Sequence, residues 1–257
     1  MLAQNLLVFV SALAVASASP VKKRCESAQA SSTVSATIAA SPTILATPTL
    51  PTTGGSNELP STNGTLKAIV VGHGIQNYTC AAAGANATSV GALAVLYDIT
   101  DLYSSLSDDE RTQLSADVLR TTDLPLNLAG DSDDQYAANV SDPFKADADL
   151  TVEGIDEPLT VLGYHYFDAS LTPTFDLFNA GMLFKGGKLS SVKAPAGADP
   201  GLLNTGAVDW LQLGDKGASV GLAQVYRVVT AGGNGLTCDT AGQVFSVPYA
   251  AQYWYYD

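Results

Sequence analysis

Short apolar runs separated by glycine and polar residues fill the chain from about residue 65 onward. They include LKAIVVG, GALAVLYDI, PLTVLGYHYFD and QVFSVPYAAQYWYY, which are rich in β-branched and aromatic residues. Runs of this length and composition are typical of β-strands. About ten such runs, without alternating helices, predict an all-β sandwich or barrel. The pairs Gly186-Gly187 and Asn234-Gly235 predict tight hairpin turns between strands.

One segment has the pattern of a helix. In SDDERTQLSADVLRTT, Ser107 is followed three residues later by Glu110, which is the sequence of a capping box. Acidic residues in the first turn suit the positive end of the helix dipole. Leu114 and Val118 form only a narrow apolar stripe, so the sequence predicts one short surface helix among the strands.

The first 64 residues have a different pattern. Residues 1–18 form an apolar run that is too short to span a bilayer and that ends in small residues, as in a secretory signal peptide. The basic VKKR that follows is either a dibasic processing site or a charged flank of the signal. The tract that continues to residue 64 consists mainly of Ser, Thr, Ala and Pro, and buries too little apolar surface to fold. We therefore predict a signal peptide at 1–18, a processed or disordered stalk at 19–64 and a single β domain at 65–257.

Four triplets match the acceptor pattern for N-glycosylation, and they begin at Asn63, Asn77, Asn86 and Asn139. Together with a signal peptide, they predict a glycoprotein that is secreted and stays extracellular or in a cell wall. No later segment has about 18 uninterrupted apolar residues, so no transmembrane segment is expected in the mature chain.

The chain has three cysteines, of which Cys80 and Cys238 lie in the predicted β domain and Cys25 in the leader. An odd number in a secreted chain suggests one disulfide and one remaining thiol. A Cys80–Cys238 disulfide would close a long loop and contribute roughly 4–5 kcal/mol. The alternative is two separate buried thiols.

The chain is strongly acidic, with 12 Lys+Arg against 25 Asp+Glu and a formal net charge of −13. Such a chain repels phosphate backbones, so nucleic acid is not an expected partner. The glycine pattern of a dinucleotide site is missing, and the spacing of the histidines and carboxylates does not define a metal centre. We therefore expect neither a cofactor nor a metal.

Several motifs together resemble one family. They are Gln-x-Tyr-x-Cys at 76–80, LGYHYFD, Arg-Val-x-Thr-x-Gly-Gly from Arg227, and the terminal VPYAAQYWYY. They resemble the secreted fungal branch of the family called domain of unknown function 3455. Members are often labelled malate dehydrogenase, which this sequence does not support because it lacks a nucleotide fingerprint and a βαβ order. The resemblance implies that Cys80 and Cys238 recur as a pair, in agreement with the disulfide.

The same resemblance points to a set of candidate ligand-binding residues. The Gly163-x-His165 motif matches the family, whereas the position of His73 often holds another residue there. The residues that we expect to line a ligand pocket are His165, Gln76, Tyr78, Asp168 and Arg227.

Two functions are compatible with these features. The first is a non-catalytic module that binds carbohydrate, such as cell-wall polysaccharide, or another extracellular partner. The second is a secreted hydrolase or metal-dependent enzyme with a site near His165. The aromatic segments YHYF and YWYY either stack on sugar rings or fill a β core. The absence of a convincing nucleophile or metal motif favours the binding module, and the catalytic residues of the alternative are unknown.

Overall fold

The fold is a closed barrel of eight antiparallel strands. The structure is a computed structural model and describes residues 47–130, 133–146 and 148–257, so the predicted signal peptide and the first part of the predicted stalk lie outside the described residues. The strands are β1 Leu66–Thr79, β2 Thr88–Asp98, β3 Val161–Phe167, β4 Pro173–Leu177, β5 Met182–Val192, β6 Trp210–Asp215, β7 Gln224–Gly232 and β8 Val244–Tyr256. Two helices, α1 Thr100–Tyr103 and α2 Asp108–Thr121, lie between β2 and β3.

Each strand pairs with its neighbour in the sequence, and the last strand returns to the first. In that closing ladder Leu66 lies opposite Tyr256, and Thr79 lies opposite Val244. The prediction of an all-β fold with a short helix is therefore confirmed, and of the two predicted architectures the chain forms the barrel. Closure leaves no unpaired strand edge within the sheet.

The strands are fewer and longer than the sequence suggested. The residues around Gly72 and Gly74 do not separate two strands, because β1 runs without a break over 14 residues. A Cβ atom on Gly72 would lie 2.7 Å from the ring of Tyr253, and one on Gly74 would meet the backbone of Ala94 at 2.6 Å. These glycines allow close packing inside the barrel and do not mark turns.

Both predicted glycine turns are also wrong. Gly186 and Gly187 lie within β5, and a side chain on Gly186 would collide with the ring of Phe184. The sequence Asn234-Gly235 belongs to the long connection between β7 and β8. A Cβ atom on Gly235 would lie 2.8 Å from the ring of Tyr78, so this glycine is also required by packing.

Alternation along β8 separates two cores. Tyr249, Tyr253 and Tyr255 belong to the cluster that fills the barrel, together with residues such as Phe175 and Phe184. Trp254 and Tyr256 point the other way and belong to a second cluster. Since successive side chains of a strand face opposite sides, one aromatic segment serves both cores. YWYY therefore fills core positions, all of them buried.

Helix α2 covers the outside of β1, β7 and β8. Its buried residues Leu114, Val118 and Leu119 pack into the second cluster with Trp254. The predicted capping box is present, since the Ser107 side chain accepts from the backbone N–H of Glu110 and the Glu110 carboxylate accepts from the backbone N–H of Ser107. The helix is thus fixed both by its cap and by its apolar stripe.

The last part of the predicted stalk contacts the barrel. Residues 47–64 contain no helix or strand, yet Leu50 and Leu59 are partly buried against the outer cluster. The Pro60 carbonyl accepts a hydrogen bond of 2.9 Å from the hydroxyl of Tyr226 in β7. Among the described residues, no helix is both long and apolar enough to cross a membrane.

Candidate functional site

Four of the five predicted pocket residues lie on the inner face of the barrel. Gln76 and Tyr78 are on β1, His165 is on β3, and Arg227 is on β7. Ala94, which belongs to the inner cluster, is paired with His165, and Tyr253, which also belongs to it, is paired with Arg227. Gln76 and Tyr78 lie toward the end of the barrel where β1 stops and β8 begins, which we call the cap end.

His165 is held as a neutral ring. Its Nδ1 atom lies 2.9 Å from the backbone carbonyl of Thr174, which can only accept, so Nδ1 carries the hydrogen. The ring stacks on Phe175 with 3.9 Å between centroids. Burial is the main cause that lowers the pKa of His165 to about 4; the Thr174 bond opposes this shift and the positive charge of Arg227 adds to it. The imidazole is therefore uncharged at neutral pH.

The guanidinium of Arg227 is the positive charge of this inner cluster. Its Nε and Nη2 atoms donate to the backbone carbonyl of Asp209 at 3.2 and 2.9 Å. Among the described residues, no carboxylate forms an ion pair with it. Burial raises the pKa of Tyr78, and the positive charge of Arg227 opposes that shift.

Two tyrosines that sequence analysis did not single out complete the cluster. The hydroxyls of Tyr249 and Tyr253 lie 2.8 Å apart, and both side chains are fully buried. Burial raises the pKa of each hydroxyl, so both are neutral donors and acceptors. The alternation of VPYAAQYWYY could have indicated that these two tyrosines share a face.

Asp168 is not part of this cluster. It follows the end of β3 at Phe167 and accepts from the backbone N–H groups of Ser170 and Thr172, which stabilises the turn into β4. Its Oδ2 atom accepts from Lys185 Nζ at 3.0 Å. The hydrogen bond from Lys185 is the first of the causes that lower its pKa. The structure therefore assigns Asp168 a contact in a turn and does not bring it to His165.

The inner cluster is closed at the cap end. Tyr78 stacks on Phe245 with 5.5 Å between centroids, and its hydroxyl donates to the carbonyl of Gly233 at 2.6 Å. Gln76 and His165 are only 5% and 4% exposed. The Nε2 atom of Gln76 has no hydrogen-bond partner in the described part of the chain. Gln76, Tyr78 and His165 are thus packed side chains of the barrel, and Tyr78 also borders an open groove.

A disulfide joins Cys80, just after β1, to Cys238 in the connection between β7 and β8. The predicted pairing is confirmed, and the two cysteines are buried with Tyr78, Phe245 and Val247 in a third apolar cluster. The stretch VVGHGIQNYTC therefore combines an inner face with Gln76 and Tyr78, an outer face, and a disulfide that seals the cap end.

The two histidines lie on opposite faces of the sheet. His73 belongs to the outer face, where its Nδ1 lies 3.2 Å from the hydroxyl of Thr122, the residue that follows α2. Burial and then the charge of Lys145 lower its pKa to about 3. Within the described ranges, no three His, Cys, Asp or Glu residues are close enough to hold a metal ion.

A groove of about 1070 Å³ lies on the outside of the cap end. Its floor includes Asn77, Leu93 and Ser246, and its two walls are the segments 133–143 and 236–245. Sequence analysis did not find this groove, because its walls come from connections that are far apart along the chain.

The groove is lined by amides, carboxylates and aromatic rings. Tyr78, Tyr136 and Phe245 contribute rings, while Asp133, Asp134 and Asp239 contribute carboxylates. None of its described lining residues is Lys, Arg or His. The exposed apolar residues Val140, Val244, Val90 and Leu236 surround it, with 97%, 69%, 40% and 39% of their surface accessible. The site suits an uncharged ligand that offers both hydroxyl groups and apolar faces.

The four predicted glycosylation triplets differ in location. Asn63, Asn86 and Asn139 are exposed, whereas Asn77 is half-buried. Asn77 and Asn139 both line the groove, and Asn63 and Asn86 do not. Of the predicted pocket residues, Tyr78 also lines the groove, whereas Gln76, His165, Asp168 and Arg227 do not.

These features define a class: an eight-stranded antiparallel barrel with a packed aromatic interior, a disulfide at one end and an external groove. The family model described as "Protein of unknown function (DUF3455)" matches residues 60–257, and the chain belongs to this family. No curated protein and no solved structure matches the chain.

Proposed function

We propose that the chain is a secreted glycoprotein that binds uncharged polysaccharide in the groove at its cap end, without catalysis. The observation that carries this proposal is the lining of the groove. Aromatic rings such as Tyr136 can stack on the apolar face of a sugar, and the Asn and Gln side chains can exchange hydrogen bonds with its hydroxyls. The three carboxylates and the absence of described basic residues disfavour anionic polymers.

Secretion is part of the proposal. The signal-like segment 1–18 and the four acceptor triplets support it. The Cys80–Cys238 disulfide adds support, because such bonds persist mainly in oxidising compartments. We propose an extracellular or cell-wall location and membership of the secreted fungal branch of the family, with the Ser/Thr/Pro-rich tract as the connection to the wall.

The enzyme alternative has less support from the geometry. A general acid or base must reach its substrate within hydrogen-bond distance. His165 is 4% exposed, stacked on Phe175 and bonded to the Thr174 carbonyl. The carboxylate of Asp168 bonds to Lys185 at a turn. These contacts are typical of structural side chains.

The proposal is tested by retention on insoluble polysaccharides. The secreted chain, after enzymatic removal of its N-glycans, is incubated with particles of β-1,3-glucan, chitin and cellulose, and the bound fraction is measured over a range of protein concentrations. We expect saturable retention on at least one of them, and the Tyr136→Ala variant should bind about 5- to 10-fold more weakly because it loses one stacking surface.

Phe178 provides a matched control, since it is an exposed aromatic residue, 39% accessible, that does not line the groove. Phe178→Ala should bind like the natural chain. Equal loss in both variants, or no saturable retention on any of the three polymers, would show that the groove does not bind polysaccharide.

A further inference from the structure

Asn77 lies on the floor of the groove and is also an acceptor for N-glycosylation. It belongs to β1, with its side chain on the outer face, and Thr79 follows on the same face. Both residues are half-buried. Of the four acceptor asparagines, Asn77 and Asn139 line the groove, and Asn77 is half-buried on a strand whereas Asn139 is exposed on a connection.

The amide of Asn77 is oriented by β8. Ser246 Oγ donates to Asn77 Oδ1 at 3.0 Å. No described residue forms a hydrogen bond with Nδ2. In N-glycosylation, Nδ2 attacks C1 of an oligosaccharide carried on a polyprenyl pyrophosphate. The C1–N bond forms, the C1–O bond to the pyrophosphate breaks with its electron pair, and one amide proton is released.

We propose that an N-glycan on Asn77 occupies the groove and closes it to external polysaccharide. This inference rests on the proposed function, because it assigns the regulation of the same groove. The first sugars would lie beside Tyr136 on one wall and Phe245 on the other, both of which line the cavity with Asn77. The groove then has two states, set by whether Asn77 carries a glycan.

The covalent bond to Asn77 favours the glycan over external polysaccharide in binding to the groove. A ligand attached to a residue that lines its own site has an effective concentration on the order of millimolar. If a free sugar chain binds the groove with the same affinity as the glycan, its concentration must exceed the effective concentration of the glycan before it displaces the glycan. A glycan on Asn139 starts from an exposed position on the wall, so it can point away from the groove.

The experiment uses the full chain from a eukaryotic secretory host. Glycopeptide mass spectrometry gives the occupancy of each acceptor, and hydroxyl-radical footprinting gives the labelling rate of Tyr136. The variant Thr79→Ala removes the acceptor signal but keeps Asn77. Thr65→Ala, which removes the signal at Asn63 outside the groove, is the matched control.

We expect Asn77 to be occupied in the natural chain. The labelling rate of Tyr136 should rise about threefold in Thr79→Ala, because a groove buries most of a bound ligand and of its own lining. Thr65→Ala should leave the rate unchanged, and Phe178, outside the groove, should label equally in all three proteins. Enzymatic removal of glycans from the natural chain gives the same readout if Thr79→Ala fails to fold.

An unoccupied Asn77, or equal labelling of Tyr136 with and without its glycan, would overturn the inference. Retention on the insoluble polymers separates it from the proposed function. If both hold, Thr79→Ala binds at least about tenfold more polymer than the natural chain. If Tyr136 is protected but neither protein is retained, the glycan fills the groove and the proposed binding of external polysaccharide is wrong.

Discussion

Several inner-facing glycines lie against aromatic rings in the barrel. A Cβ atom on Gly72 would lie 2.7 Å from the ring of Tyr253, and one on Gly186 would overlap the ring of Phe184. A fully buried ring contributes roughly 1.5–3 kcal/mol to stability. The absence of a side chain at these glycines is therefore what allows several rings to share one narrow interior.

Gly72→Ala should destabilise the barrel by about 1–3 kcal/mol, because the new methyl group overlaps the ring of Tyr253 in a packed core. Chemical denaturation at neutral pH measures the change in the free energy of unfolding. Gly197→Ala is the control, since no atom lies within 4 Å of a Cβ placed there. A change below about 0.5 kcal/mol in Gly72→Ala would mean that the inner rings repack freely.

Two buried histidines make stability depend on pH. The pKa of His73 is lowered to about 3 and that of His165 to about 4, in both cases mainly by burial. In the unfolded chain both titrate near pH 6.5. Below that pH the unfolded state binds more protons than the folded state, so stability falls as the pH drops from 6.5 toward the folded values.

Between pH 7 and pH 5, protonation of each histidine in the unfolded chain should lower the free energy of unfolding by about 2 kcal/mol. His165→Gln should reduce this pH dependence by about that amount, and His73→Gln should do the same independently. Denaturant titrations at pH 7 and pH 5 provide the measurement. An unchanged difference between the two pH values in both variants would show that neither ring is buried as a neutral group.

At the residue scale, family motifs predicted part of the inner cluster. Gln76, Tyr78, His165 and Arg227 were named from the sequence and are brought together, while Asp168 lies outside because the strand ends one residue earlier. Tyr249 and Tyr253 were missed, because a buried hydroxyl pair depends on the register of one strand inside a closed barrel.

Among the elements, helix α2 is the one whose start was predicted to the residue. Ser107 and Glu110 satisfy each other's backbone donors, and this information is entirely local. Its packing against β1, β7 and β8 is not local and could not be predicted. The predicted strand lengths were wrong for the same reason. Gly72 and Gly186 resemble strand breaks in the sequence, and the rings that they pack against are known only from the fold.

Ser107→Ala should lower the free energy of unfolding by about 1 kcal/mol, since it removes the side chain that caps the N–H of Glu110. Gln113→Ala is the control, because Gln113 is exposed on the same helix and takes no part in the cap. Thermal unfolding followed by circular dichroism measures both variants. Equal stability of Ser107→Ala and the natural chain would mean that packing alone fixes the helix.

For the whole molecule, the β1–β8 ladder that closes the barrel and the Cys80–Cys238 disulfide meet at the cap end. The Cys80–Cys238 bond links positions 158 residues apart, beside the ladder in which Thr79 pairs with Val244. The cysteine count predicted this bond. The groove could not be predicted, since it exists only after the barrel has brought the segments 133–143 and 236–245 together.

Replacing both cysteines with alanine should reduce the free energy of unfolding by roughly 4–5 kcal/mol, through the added entropy of the unfolded chain. A reducing agent should cause the same loss in the natural chain and none in the double variant. Denaturant unfolding with and without reductant tests this. Identical curves for the natural chain under both conditions would mean that the bond does not contribute to stability.

The pairing of β1 with β8 can form only late in translation. Asn77 and its partner Ser246 are 169 residues apart, so the β8 side of β1 stays uncovered until nearly the whole chain has been made. At the usual speed of translation this interval is on the order of 10–30 s. On the secretory route that we propose, the glycosylating enzyme therefore meets Asn77 before β8 has paired with β1. The glycan is then attached before the groove has formed.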